Sequence, residues 1–126
     1  MKQATAWLKQ AQSDFKWAKL SAQAGFYAQA CFVSQQVAEK SLKAIAYHRN
    51  ALQVKSHSIL NIAKALGING TLEESARTLD LYYISTRYPD ALPDNAVPSE
   101  SFSQTQATHA IELASAFLVF AEGEVK

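Results

Sequence analysis

Apolar residues recur at helical spacing along nearly the whole chain, and no segment shows the sustained apolar–polar alternation of a half-buried strand. From about Gln3 to Gln23, residues Trp7, Leu8, Ala11, Phe15, Ala18 and Ala22 share one face, with Lys2, Lys9 and Lys16 opposite. Gly25 is placed to close this helix in the left-handed conformation. A second helix, about Tyr27 to Arg49, carries two apolar stripes: Cys31, Ala38, Leu42 and Ile45, then Val33, Val37, Ala44 and Tyr47. A helix apolar on two sides is expected at the centre of its fold. Gln35, Gln36 and Glu39 interrupt it and read as a partly buried polar network. Glu39 and Lys43 read as an i,i+4 pair worth about a few tenths of a kcal/mol if exposed.

A short third helix is predicted from about Ser58 to Leu66, followed by a turn at Gly67-Ile68-Asn69-Gly70. Thr71 with Glu74 has the form of a capping box for a fourth helix presenting Leu72, Ala76, Leu79 and Tyr83, with Glu73 and Arg77 paired on its surface. A loop from Thr86 to Pro98 precedes the last helix, about Ser101 to Glu122. That helix has one stripe of Ala107, Ile111, Ala114, Leu118 and Ala121 and another of Ala110, Leu113, Phe117 and Phe120. The expected architecture is all-α: a single domain over 1–126, an up-and-down four-helix bundle with an additional short helix bracing one end.

Composition narrows the picture. Abundant alanine with 4 glycines and 3 prolines favours helices over a turn-rich β fold. No apolar run approaches about 20 residues, so no membrane span is expected, and no apolar stretch follows Lys2 as a signal peptide would require. The lone Cys31 lies in a helical stripe and reads as buried and structural, which points to a reducing cytoplasm. Residues 1–72 hold nine Lys/Arg against two Asp/Glu, and residues 73–126 hold three against nine. The asymmetry fits a basic face for RNA or a charged partner, and equally a set of solvated helix faces.

Few residues carry recognisable chemistry. Phosphate-cradling glycine motifs are absent, and Gly67–Gly70 without a surrounding sheet is a turn. His48, His57 and His109 are scattered. His109 and Glu112 share a helix face, but a bundle metal centre needs several such motifs, so neither metal nor cofactor is expected. Asp14 borders the apolar face near Trp7, where a carboxylate pairs with a neighbouring cation or serves a site. The richest segment is Ser85–Pro93: Pro89 and Pro93 hold Tyr88 and Leu92 out of helical geometry. Arg87 offers a planar fork of donors suited to phosphate or carboxylate, Tyr88 can stack, and Asp90 is the nearest ionisable group.

Several runs form a specific combination: Trp7-Leu8-x-x-Ala11 with Asp14-Phe15, and Gly25-Phe26-Tyr27-Ala28-x-Ala30-Cys31-Phe32. Beyond them come Gln35-Gln36-Val37-Ala38-Glu39-Lys40-Ser41-Leu42-Lys43-Ala44, His57-Ser58-Ile59, Leu79-Asp80-x-Tyr82-Tyr83 and Thr86-Arg87-Tyr88-Pro89-Asp90. On these the chain resembles the small stand-alone prokaryotic HEPN-domain proteins over nearly its whole length. The resemblance implies a helical bundle that dimerises, often beside a minimal nucleotidyltransferase in a toxin–antitoxin pair. Many such proteins are metal-independent ribonucleases in which an arginine is followed, after four to six residues, by a histidine, with residues of two subunits facing each other. Arg87 matches the arginine, but Leu92, Pro93 and Asp94 occupy the histidine positions, and the histidines elsewhere are not assigned to that role.

The expectation is therefore a homodimer, catalytically weak or inactive, that binds a nucleotidyltransferase partner or RNA through Arg87, Tyr88 and Asp90, with Asp14 and Glu39 as further binding candidates. The alternative is a metal-independent endoribonuclease using Arg87 with Asp90 or Tyr88 in place of the histidine.

Overall fold

The computed structural model describes residues 2–126. Six α-helices follow in order: α1 (Lys2–Gln23), α2 (Tyr27–His48), α3 (Ile59–Ala65), α4 (Thr71–Asp80), α5 (Tyr82–Ser85) and α6 (Gln104–Glu124). Between α5 and α6 the chain makes three single 3-10 turns, Pro89–Ala91, Pro93–Asn95 and Pro98–Glu100, each opened by a proline whose missing N–H costs nothing at that position. No strand occurs among the described residues.

The helix α2 is the axis of the molecule. Of its 22 residues 16 are buried, because α1, α6 and the α3–α4 pair all pack on it. The two predicted stripes divide accordingly. Cys31, Ala38, Leu42 and Ile45 enter a core shared with Ile59 and Ile62 of α3, Leu79 of α4 and Phe117 of α6. Val33 and Val37 enter a second, smaller core with Ala11 and Ala18 of α1 and Ala114 and Leu118 of α6. Fully buried alanines recur every seventh residue, at 4, 11 and 18 in α1 and at 107, 114 and 121 in α6. Such small side chains let neighbouring helix axes approach closely.

Three helix ends close by the same device. At α1 the Gly25 N–H donates to the Ala22 carbonyl and the Phe26 N–H to the Ser21 carbonyl, with Gly25 at φ +87°. Asn50 at the end of α2 and Gly67 at the end of α3 repeat the pattern with positive φ. This is the Schellman arrangement, in which a left-handed residue satisfies the last free carbonyls.

Three boundary expectations are corrected. Thr71 does not cap α4: the Gly70 carbonyl already accepts from the Glu74 N–H, so the cap position falls on Gly70 and Thr71 is the first helical residue. The last helix starts at Gln104 rather than Ser101, because Ser101 Oγ is turned back onto the Val97 carbonyl. The capping box is instead Ser103 with Gln106, each side chain bonding the other's backbone N–H. The fourth helix also breaks at Leu81, leaving Tyr83 on the separate turn α5.

Burial in the larger core pushes the Cys31 thiol from its ordinary 9.0 up to about 12 and, with the charge Cys31 would carry, raises the Tyr82 hydroxyl as well. Between these two pH values an unfolded chain ionises this thiol and the folded chain does not. Cys31 therefore leaves stability untouched below pH 9.0 and lowers it progressively as pH rises toward about 12. A disulfide-exchange reagent at pH 8 should modify native Cys31 at least about 100-fold more slowly than the urea-unfolded chain. Equal rates would contradict its burial.

Candidate functional site

The side of α2 left uncovered by the two cores carries Phe32, Gln36, Lys40 and, a half-turn inward, Glu39 and Lys43. The first helix brings Asp14 against it: Lys40 Nζ lies 2.5 Å from Asp14 Oδ2, and Gln10 Nε2 donates to the other oxygen at 2.9 Å. One turn along, Lys43 Nζ donates to Glu39 Oε2 at 2.9 Å and lies 5.2 Å from the centre of the Trp7 ring, which itself stacks on Tyr47. The spacing of Glu39 and Lys43 is that of a surface pair, but their side chains are only 4% and 5% exposed. A buried pair of this kind is costly to break, since removing one member strands the other charge. Glu39 Oε1 has no hydrogen-bond partner and is buried.

The residue that joins this network to the rest of the surface is His57. Its backbone is held at both ends of the 57–60 segment. Gln35 Nε2 donates to the His57 carbonyl at 2.9 Å. Asp80, the last residue of α4, accepts from the N–H groups of Ile59 (2.8 Å) and Leu60 (3.0 Å) and from Ser58 Oγ (2.9 Å). A carboxylate at the start of a helix satisfies free N–H groups and complements the positive end of the dipole. Ser58 Oγ in turn accepts from the Asn61 N–H. So fixed, His57 places Nδ1 at 3.3 Å from Glu39 Oε2 and stacks its ring on Tyr83, with centres 5.5 Å apart and planes 14° apart. The imidazole side chain remains 60% exposed.

Tyr83 also supports Arg87. The Arg87 Nε donates to the Tyr83 carbonyl at 2.9 Å. Its Cζ lies 4.5 Å from the ring centre of Phe32, 4.7 Å from Tyr83 and 5.1 Å from Tyr88. Thr86 Oγ1 donates to the Tyr82 carbonyl, and the extended backbone that Pro89 imposes on Tyr88 (φ −125°, ψ 123°) turns the chain past the guanidinium. Among the described residues Arg87 has no carboxylate partner. Its charge is held by three aromatic faces while the outer N–H groups stay open to solvent.

Of the five residues singled out from sequence, Glu39, Arg87 and Tyr88 fall within this one assembly. Asp14 belongs to the adjoining α1–α2 ion pair. Asp90 stands exposed and forms no hydrogen bond or ion pair, with Arg87 or any other described residue. Sequence reasoning did not assign His57, Tyr83, Phe32, Lys43 or Asp80 to a site, although each lies within the runs that carry the resemblance. A concavity of about 540 Å³ lies elsewhere, between the end of α2, the 50–56 connection and α3. It contains none of these residues, and its Arg49 is engaged by the Leu66 carbonyl and Glu124. Among the described residues no group of three or more His, Cys, Asp or Glu side chains could hold a metal ion, and no helix is long and apolar enough to cross a membrane.

The class the fold defines is an all-helical bundle, and Arg87 stands in it just after α5, cradled by three rings. The profile of the HEPN domain family matches residues 4–124, and the chain belongs to that family. It is similar to TT1696 from Thermus thermophilus, at 37% identity and TM-score 0.92 over 98% of this chain and 99% of that one. It is also similar to ST0689, an archaeal HEPN homologue, at 30% identity and TM-score 0.82 over the full length of both chains. A HEPN domain protein from Thermotoga maritima, TM0613, matches at 29% identity and TM-score 0.74 over 94% of this chain and 95% of that one. Among curated proteins no match is found.

Replacing Asp80 tests how the site is held. Asp80→Ala removes the acceptor of three donors at the start of α3 and should destabilise the fold by about 2–3 kcal/mol in urea denaturation. Asp80→Asn, which retains one acceptor oxygen, should lose about half as much. The two variants should also speed hydrogen exchange at Ile59 and Leu60 more than in α6.

Proposed function

We propose that this HEPN domain acts as a homodimeric, cytoplasmic module whose Arg87 face binds RNA, with a minimal nucleotidyltransferase as its protein partner in a toxin–antitoxin-like pair. The observation that carries the RNA reading is the open guanidinium of Arg87 among Phe32, Tyr83 and Tyr88. Single-stranded nucleic acid is bound by this combination, a cation for the phosphate and aromatic faces for the bases. Arginine is better suited than lysine, because its planar fork meets two phosphate oxygens while its face stays stacked.

The dimer reading is supported by the apolar residues beside that arginine. Leu81, Ile84 and Tyr88 stand exposed at helical spacing, and Trp17 and Leu20 are exposed on α1. Exposed large apolar side chains close in sequence to that arginine, as Leu81 and Ile84 are, favour a protein contact. A dimer joined near α5 would bring two Arg87 side chains to one cleft. The nucleotidyltransferase partner rests on the family likeness alone. The reading in which Asp90 serves as base receives no geometric support, since that carboxylate is not joined to Arg87.

Fluorescence anisotropy with a labelled single-stranded RNA should give saturable binding that weakens steeply as salt rises. Arg87→Ala should weaken it by about tenfold or more, and Arg87→Lys should recover only part of the loss. RNA binding unchanged in Arg87→Ala would end this assignment. Light scattering at micromolar concentration should return twice the 13.8 kDa chain mass, and a strictly monomeric mass would remove the dimer.

A further inference from the structure

We propose that the cleft between the end of α2, the 50–56 connection and α3 binds a small amphipathic anion, a molecule with an apolar body and one carboxylate or sulfonate group. The site lies apart from Arg87 and does not depend on the RNA reading. Its volume of about 540 Å³ falls within the roughly 300–1,000 Å³ of small-molecule sites.

The cleft exists because of how α2 ends. Asn50, at φ +69°, reverses the chain, and the Ala51 N–H closes the cap on the Ala46 carbonyl. The next fixed point is the Val54 N–H, which donates to the Tyr47 hydroxyl at 3.1 Å. Between these two anchors residues 52 and 53 form no hydrogen bond with any described residue. The connection therefore stands as a wall pinned at two points, facing α3 across the cleft. Among the lining residues Ala46 and Ile62 are buried and Val54 and Leu66 half-buried, so the deep part is apolar. Leu52, between the lining residues Ala51 and Gln53, is 98% exposed. Its own chain gives it nothing to cover, and an apolar body in the cleft would remove that side chain from water.

Charge selects the other end of the ligand. Arg49 and Lys55 line the cleft, and no aspartate or glutamate does. Arg49 donates from one terminal nitrogen to the Leu66 carbonyl at 2.9 Å and from the other to Glu124 at 3.3 Å. These bonds fix the guanidinium, and its Nε–H and one N–H on each terminal nitrogen stay uncommitted. Glu124 offsets much of the Arg49 charge. Lys55 is exposed and has no carboxylate partner among the described residues. One cation is thus left over, which matches a single anionic group and not a chain of phosphates. The exposed amide of Asn61, on the α3 side, can meet a polar substituent as donor or acceptor.

The test titrates the full chain with anilinonaphthalene sulfonate, followed by fluorescence, beside phenylnaphthylamine, the same ring system without the sulfonate. The sulfonate should saturate one site and bind about fivefold or more tighter than the neutral probe at low salt, an advantage that added salt or Lys55→Glu should remove. Ala65→Phe, at an exposed position lining the cleft, should fill it and weaken both probes by about tenfold or more while the circular dichroism is unchanged. Leu52→Ser should weaken both by about threefold. Backbone amide shifts in an NMR titration should centre on residues 46–66. Equal affinity for the two probes, no saturable binding of either, or binding that survives Ala65→Phe would overturn the proposal. Shifts centred instead on the exposed Trp17 and Leu20 of α1 would do the same.

Discussion

Helix α2 has almost no surface of its own, so its long polar side chains find partners inside the bundle or at one narrow edge, while Ser34 Oγ, Ser41 Oγ, His48 Nδ1 and Glu39 Oε1 are buried without one. This constraint organises the rest of the molecule. Gln35 is fully buried and spends its amide on the His57 carbonyl and, more distantly, on Asp80 at 3.4 Å. Gln36 donates to Gln35 Oε1 at 2.8 Å, Lys40 finds Asp14, and Lys43 finds Glu39. A buried polar group without a partner costs about 1–3 kcal/mol, more when charged. The identity of the elements packed on α2 is thus partly dictated by what α2 needs to bond. The 57–60 segment is drawn to Gln35 and Asp80, and α1 is drawn to Lys40 and Lys43. The apolar stripes provide most of the burial, and the polar edge fixes the register.

The arginine at that edge follows from the same constraint acting on the other side. Phe32 of α2 is half-buried, between the buried stripes and solvent, and Tyr83 packs against it at 6.3 Å. The break at Leu81 is what allows this, because a helix continuous through Tyr83 would carry that ring on the rotation set by α4. Four residues of α5 reset the direction, and the Arg87 side chain then lies back along its own turn onto the Tyr83 carbonyl. A guanidinium packed on rings has lost most of its freedom before any ligand arrives, which reduces the ordering cost of binding. The prolines downstream keep the 89–98 segment in short turns, with Asp94 and Asn95 at positive φ, and so prevent it from continuing as helix over the arginine.

Much of the fold was legible in the spacing of apolar residues, and the reason is local. The first stripe of α2 enters the larger core and Val33 and Val37 of the second enter the smaller one, and Gly25 takes the left-handed cap because periodicity and chain reversal are decided within a few residues. The errors arose where a short-range pattern competed with a longer one. Thr71 and Glu74 have the letters of a capping box, but Gly70 at φ +73° opens the helix one residue sooner. Glu39 and Lys43 have the spacing of a surface pair, and only the arrival of Trp7 from α1 buries them. Arg87 was legible because an arginine between aromatic and proline residues stands out in any context. His57 was not, since its meaning depends on Glu39, 18 residues earlier, and on Tyr83, on the far side of α4.

That dependence bears on how a missing motif residue should be weighed. A side chain that meets a ligand needs a defined orientation more than a particular distance along the chain, and orientation is best supplied by rigid elements. Residues 92–94 follow Arg87 at the motif spacing, yet they belong to proline-opened turns with Leu92 extended and Asp94 left-handed. A side chain there has no buried group behind it to fix its angle. His57 has three restraints from two elements: Gln35 of α2 on its carbonyl, Glu39 of α2 on its ring nitrogen and Tyr83 of α5 on its ring face. The same fold can therefore dispense with a histidine after the arginine and still hold an imidazole beside it. The Glu39 carboxylate beside it engages one oxygen with both Lys43 and His57, while the other is buried and unpartnered.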